Sequence, residues 1–185
     1  MKAITVLGLP AFQMDNGEIV INPVYYNEYL SAQIEAVKKD RTKHFIIMLA
    51  GLNHEYIMGN RMLVAEAFMF LNNMKDIIKD PPQIAFYPHR FGPYSRHLIN
   101  KKKELEDNGF ISTKGLKIQL TKAGNDVLES IKKEYAPQAW ASLEEYRRKL
   151  DQKGIDGLMK LVYNLYPQYT LNYVSKNKEV VTWKN

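Results

Sequence analysis

The chain contains no cysteine. Disulfides, thiolate metal sites and a cysteine nucleophile are therefore excluded, and the composition fits a reducing cytoplasm. No apolar run approaches the roughly 18 residues that a membrane-spanning helix needs. There is no G-x-x-x-x-G-K-[ST] phosphate loop, and "VLGLPAF" has too few glycines for a dinucleotide loop. The role expected for Gly8 is a bend at the end of a strand. The four histidines, His44, His54, His89 and His97, form neither an i,i+4 pair nor an HExxH pattern. No repeat and no low-complexity tract occurs. These absences predict a cytoplasmic protein with no membrane partner, no metal site and no cofactor.

Catalytic carboxylates are equally hard to find. A metal-dependent nuclease needs clustered acids, often with a lysine, to hold magnesium and activate water. Asp15 and Glu18 are close in sequence, Glu144 and Glu145 sit on a surface-like helix, and "EVVTWK" has the wrong spacing. The sequence is not expected to encode an enzyme.

What is present is a chain of 185 residues, 45% apolar, with a net charge of +6. That is enough apolar material for a core, and one domain of ordinary size or a small domain with extensions. The amino terminus, "MKAITVLGLPAF", carries one lysine, is interrupted by Pro10 and is soon followed by Asp15 and Glu18, so it reads as a strand and not as a signal peptide. "NGE" marks a turn and "IVINP" a second strand. After Pro23, Tyr26, Tyr29, Leu30, Ile34 and Val37 recur at helical spacing. "KHFIIMLAGL" fits a strand or a buried helix equally.

From residue 60 onward the pattern is clearer. Residues 60–79 predict a buried helix capped by Asn60 and stopped by Asp80-Pro81-Pro82. "QIAFY" predicts a short strand. A helix over 95–108 ends at Gly109. "FISTKGLKIQL" predicts two strands with a turn at Lys114-Gly115, and a helix from the Thr121 cap runs to about 135. Two further helices, over 138–152 and from Gly154 to Pro167, precede a frayed end.

Charge is concentrated in this region. Residues 83–122 carry Arg90, Arg96, Lys101, Lys102, Lys103, Lys114, Lys117 and Lys122 against Glu104, Glu106 and Asp107, a net +5. Such clustering says more than the total. At 100° per residue, Leu98 and Leu105 share one face of the helix, and Arg96, Asn100 and Lys103 share the opposite one. Arg and Asn are suited to bidentate contacts with guanine and adenine edges, and Arg96, Asn100 and Lys103 are expected to make the groove contacts. Arg90, Tyr94, Ser95, Lys114 and Lys117 are expected to hold the DNA backbone. Asp107, on the Lys103 face, opposes a phosphate. A solvated Lys/Glu helix face is the plain alternative.

"FGPYSRHLINKKKELEDNGFI" followed by "IQLTKAG", with "NRMLVAEAFMFLNNM" before it, resembles a group of bacterial and archaeal winged helix-turn-helix proteins, the YwgA-like group. There a "YGPYS" turn leads into a helix, then "L…LGFI" and "Y.LT..G"; Phe91 here stands where tyrosine is usual. The Panacea domain of SocA-like antitoxins is similar more loosely, and PadR-like regulators share only the "L…G.I … LT..G" frame. The likeness covers residues 60–135. It implies a winged helix and a regulatory or toxin–antitoxin context, not a reaction.

The expected architecture is thus α+β: an N-terminal α/β extension over 1–58, a winged helix-turn-helix over 59–135 and a helical C-terminal segment over 136–185. The expected function is double-stranded DNA binding as a transcriptional regulator. The alternatives are a protein-interaction module, antitoxin-like or a phage- or defence-associated adaptor, then a small-ligand sensor using residues 1–58, and last a nuclease. Twelve tyrosines, with Tyr25, Tyr26 and Tyr29 near one end and Tyr163, Tyr166, Tyr169 and Tyr173 near the other, suit packing or an interface. The C-terminal group suggests a homodimer.

Overall fold

The computed structural model describes residues 2–6, 9–21, 23–52 and 56–169. His54, Gly8, Tyr173 and the C-terminal end lie outside the described residues, as do the side chains of Tyr25 and Tyr26. The protein is mixed α and β, with small antiparallel sheets. No helix among the described residues is long and apolar enough to cross a membrane. Two compact units divide at Asp40 and Arg41.

The first unit is a three-stranded antiparallel sheet, β1 (Lys2–Val6), β2 (Leu9–Gln13) and β3 (Ile19–Ile21), followed by α1 (Pro23–Lys39). "AITVLGLP", expected as one strand, is divided between β1 and β2, which pair back on each other with Thr5 opposite Pro10. The Asn16-Gly17 turn forms as expected. Gly17 takes φ +85°, its amide donates to the Met14 carbonyl at 2.9 Å, and Asn16 Oδ1 accepts from the Glu18 amide at 3.0 Å.

The second unit opens with α2 (Arg41–Gly51), which resolves the ambiguous "KHFIIMLAGL" as a helix. Phe45 through Ala50 are all buried, so no amphipathic period was there to read. Helix α2 packs against α5 (Lys122–Lys132); a Cβ on Gly51 would overlap the Leu128 side chain. The expected boundary at residue 58 therefore moves to 40. Helix α2 supplies the core of the second unit and is not part of an N-terminal extension.

Next come β4 (Ile57–Met58) and the central helix α3 (Gly59–Asn73), buried from Met62 to Phe70. Asn60 does not cap α3. The helix begins one residue earlier, at Gly59, whose φ of +77° makes the entry turn. Nor does it run to Lys79: Asn72 and Asn73 donate their side-chain amides back to the Phe68 and Met69 carbonyls, at 2.7 and 2.8 Å, and the helix ends there. The strand expected at "QIAFY" is shifted. Residues 81–86 form no regular element, and β5 (Tyr87–His89) pairs with β6 (Gly92–Tyr94).

Helix α4 (Arg96–Asp107) follows β6 directly. Strands β7 (Ile111–Lys114) and β8 (Lys117–Leu120) form a hairpin, and β8 also pairs with β4, giving the sheet order β4-β8-β7. Gly109, φ +75°, turns the chain out of α4, and Gly115, φ +61°, closes the hairpin. Thr121 caps α5 by accepting from the Gly124 amide at 3.2 Å, and its hydroxyl donates to the Gly109 carbonyl at 2.6 Å. One side chain so fixes both the exit from α4 and the entry to α5.

Helices α6 (Pro137–Asp151) and α7 (Gly154–Leu165) complete the unit. Tyr163 is buried, and Tyr166 and Tyr169 set their rings edge-on to Phe68 at 4.9 and 4.8 Å. These C-terminal rings pack within the unit. Buried Arg147 of α6 binds the Leu49 carbonyl at 2.6 Å and Asp151 at 3.0 Å, and stands 3.2 Å from Glu66 of α3. Glu66 is fully buried; burial pushes its carboxyl well above the usual carboxylate range, against the pull of Arg147, and Asp151 adds to the rise.

Candidate nucleic-acid interface

Three consecutive pieces of the second unit carry the residues singled out in the sequence: the β5–β6 hairpin, α4 and the β7–β8 hairpin. Helix α4 is two-faced, as its spacing predicts. Leu98, Lys102 and Leu105 are buried, and Arg96, Asn100, Lys103 and Asp107 are exposed. The exposed four fall within about 60° of one another around the helix axis.

Polar contacts fix that orientation. His97 Nε2 lies 3.1 Å from Thr42 Oγ1 on α2. Glu104 takes Lys43 of α2 at 2.8 Å and Lys101 at 3.1 Å. These two lysines hold the Glu104 carboxyl below its ordinary value. On the other flank Lys102 donates to Glu106 and to Thr113 of β7, both at 2.7 Å. The same lysine, with Thr113, lowers the Glu106 carboxyl.

One cation of the basic cluster and one expected backbone contact leave the candidate surface. Lys102 is a buried clamp between α4 and β7, with its charge matched by Glu106. Ser95, expected to hold a DNA backbone, is buried, and its Oγ accepts from the Leu98 amide at 3.4 Å as the N-cap of α4. The first-turn amides of Arg96 and His97 have no carbonyl within the helix to bind.

The remaining expected residues are accessible. Lys114 and Lys117 are exposed, and they face each other as register partners at the end of the β7–β8 hairpin. Like charges directly opposite destabilise a hairpin. Lys117 Nζ also lies 4.3 Å from the centre of the Tyr56 ring. Between the two lysines Leu116 is 68% exposed. Arg90 is exposed in the two-residue loop of the β5–β6 hairpin, with its guanidinium 4.8 Å from the Phe91 ring centre. Tyr94 is half-buried and packs edge-on to Tyr87 at 5.3 Å.

Sequence reasoning missed the ring cluster around Phe91 and the α2–α4 contacts. The "FYPHRFGPY" alternation was the available signal for the first. The second joins residues 55 apart and leaves no local trace. Among the described residues no group of three or more His, Asp and Glu side chains is placed to hold a metal ion. A cleft of about 790 Å³ opens beside Arg147, Arg148 and Asp151. No known family model matches the chain, and neither curated proteins nor solved structures give a match.

Proposed function

We propose that residues 41–132 form a winged helix-turn-helix that binds double-stranded DNA as a transcriptional regulator. Helix α4 enters the major groove and the β7–β8 hairpin is the wing. The order helix, strand, helix, helix, two strands, interrupted by the β5–β6 hairpin between the second and third helices, supports this, as does the sheet order β4-β8-β7, in which β4 pairs with β8. The single observation that carries the reading is the exposed stripe of Arg96, Asn100 and Lys103, opposite the buried Leu98 and Leu105. Arg96 and Asn100 read base edges. Lys103, Lys114, Lys117, Arg90 and Tyr94 contact the backbone. Asp107, at the far end of the stripe, marks where the backbone diverges from α4.

The decisive measurement is fluorescence anisotropy on a duplex from the region upstream of the gene, at two salt concentrations. Affinity should fall steeply with salt, and Arg96→Ala and Lys103→Glu should each weaken it by about tenfold. Binding that ignores salt, or variants that bind as the wild type does, would overturn the assignment.

A second reading has its own observation. In the first unit Phe12 and Val20 are cross-strand partners, 43% and 44% exposed. An apolar pair on one sheet face favours a protein partner, as in an antitoxin-like adaptor. A homodimer is compatible with either reading, and sedimentation equilibrium tests it.

A further inference from the structure

Between α3 and α4 the chain inserts the β5–β6 hairpin, whose tip is built unlike a plain turn. Phe91 is 40% exposed, and two guanidinium groups lie close to its ring. Arg90 places its guanidinium 4.8 Å from the ring centre, and Arg61 of α3 places its own at 5.6 Å. The two cations therefore lie at most about 10 Å apart, close enough to repel each other. Arg61 Nε is buried and has no hydrogen-bond acceptor among the described residues. Behind Phe91 the rings continue: His89 at 6.1 Å, Tyr94 at 5.2 Å from His89, and Tyr87 at 5.3 Å from Tyr94. Tyr87 is itself 42% exposed.

The base of this hairpin is rigid. Pro88 stands opposite Pro93, and both have a fixed φ. Gly92 is buried at φ +104°, where a Cβ would overlap the Met159 side chain of α7. Tyr94 leads straight into the Ser95 cap, so the tip holds a set position relative to the α4 stripe. From Pro81 to Lys103 there is no acidic residue. The occupant that matches this surface is polyanionic and has flat aromatic faces.

We infer that the β5–β6 hairpin is a base-stacking finger: the exposed part of the Phe91 ring, with Arg61 and Arg90 beside it, receives an unpaired base where double-stranded DNA opens into a single strand. A phosphate contact alone needs charge and no ring. An exposed ring braced by cations supplies a π face for the base and partners for the phosphates on either side of it. The inference rests on the DNA-binding reading and adds to it a preference for junctions over closed duplex.

The test compares three labelled DNA probes by anisotropy: a blunt duplex, the same duplex with a short thymine overhang, and the single strand alone. A further copy of the overhang probe carries 2-aminopurine at its first unpaired position. The wild type should bind the overhang probe more tightly than the blunt one, and stacking should change the 2-aminopurine emission. Phe91→Ala should weaken overhang binding by roughly tenfold, leave blunt binding unchanged and remove the emission change. Phe91→Trp should retain all three properties, and Phe91→Leu should behave as Ala does. Equal overhang affinity in Phe91→Ala and wild type overturns the finger, as does an equal loss on both probes. A Phe91-dependent overhang signal with no blunt binding supports the finger and defeats the groove reading. If no probe binds, both fall.

Discussion

Thr42 Oγ1 and His97 Nε2 stand 3.1 Å apart and tie the first turn of α2 to the first turn of α4. The pair fixes α4 at the end where Arg96 projects. Replacing Thr42 with Val preserves shape and removes the hydroxyl. We expect a loss of about 1 kcal/mol in stability to urea, together with weaker duplex binding, although no charge has changed. Unaltered affinity would mean that the contact does not orient the helix.

Helix α4 itself was legible in the sequence because its signals are local. Ser95 caps it, Gly109 ends it at positive φ, and Leu98 and Leu105 recur at helical spacing. Helix α2 was not legible, because apolar residues on every side carry no phase. The fate of Lys102 was hidden for another reason. Its i,i+4 partner Glu106 is visible in the sequence, but its burial depends on β7 folding over it and offering Thr113. A count of cations therefore overstated the surface charge by one. The hairpin at 87–94 is hidden in the sequence, since prolines at 88 and 93 normally argue against strands. They are tolerated here because this two-stranded sheet has only edges.

Lys102 and Lys103 are neighbours in sequence with opposite surroundings, which makes them a paired control. Lys102→Met should lower stability by about 1 kcal/mol and leave the salt dependence of DNA binding nearly intact. Lys103→Met should leave stability unchanged and reduce the salt slope by about one. Chemical denaturation and anisotropy at several salt concentrations separate the two. A salt slope that follows Lys102 instead would invert the faces assigned to α4.

The buried Glu66–Arg147–Asp151 cluster predicts a pH-dependent stability. Burial raises the Glu66 carboxyl in the folded state, so folded protein keeps a proton that the unfolded chain releases. Such a group's contribution declines as pH rises from the ordinary carboxylate value toward the raised one. Arg147 opposes the rise, so removing it extends the decline. Arg147→Met should therefore be destabilising by about 3 kcal/mol near pH 8 and by clearly less near pH 5. Adding Glu66→Gln should flatten the difference between the two pH values. Urea titrations at both pH values check it; a loss that does not vary with pH would show that Glu66 keeps no proton.

At the end of the β7–β8 hairpin, stability and binding should move in opposite directions. Lys114 and Lys117 face each other as register partners, so their like charges strain the hairpin. Lys114→Glu converts the repulsion to an attraction and should raise stability by a few tenths of a kcal/mol, about 0.5 at most. If the hairpin is the wing, the same change sets a carboxylate against phosphate and should weaken duplex binding by tenfold or more, roughly the loss of one contact plus a new repulsion. A residue kept for folding alone gives no such opposition. Thermal melts and anisotropy on one preparation of the variant report both quantities. A variant that is more stable and binds DNA as well as the wild type would remove the β7–β8 hairpin from the interface and leave α4 to bind alone.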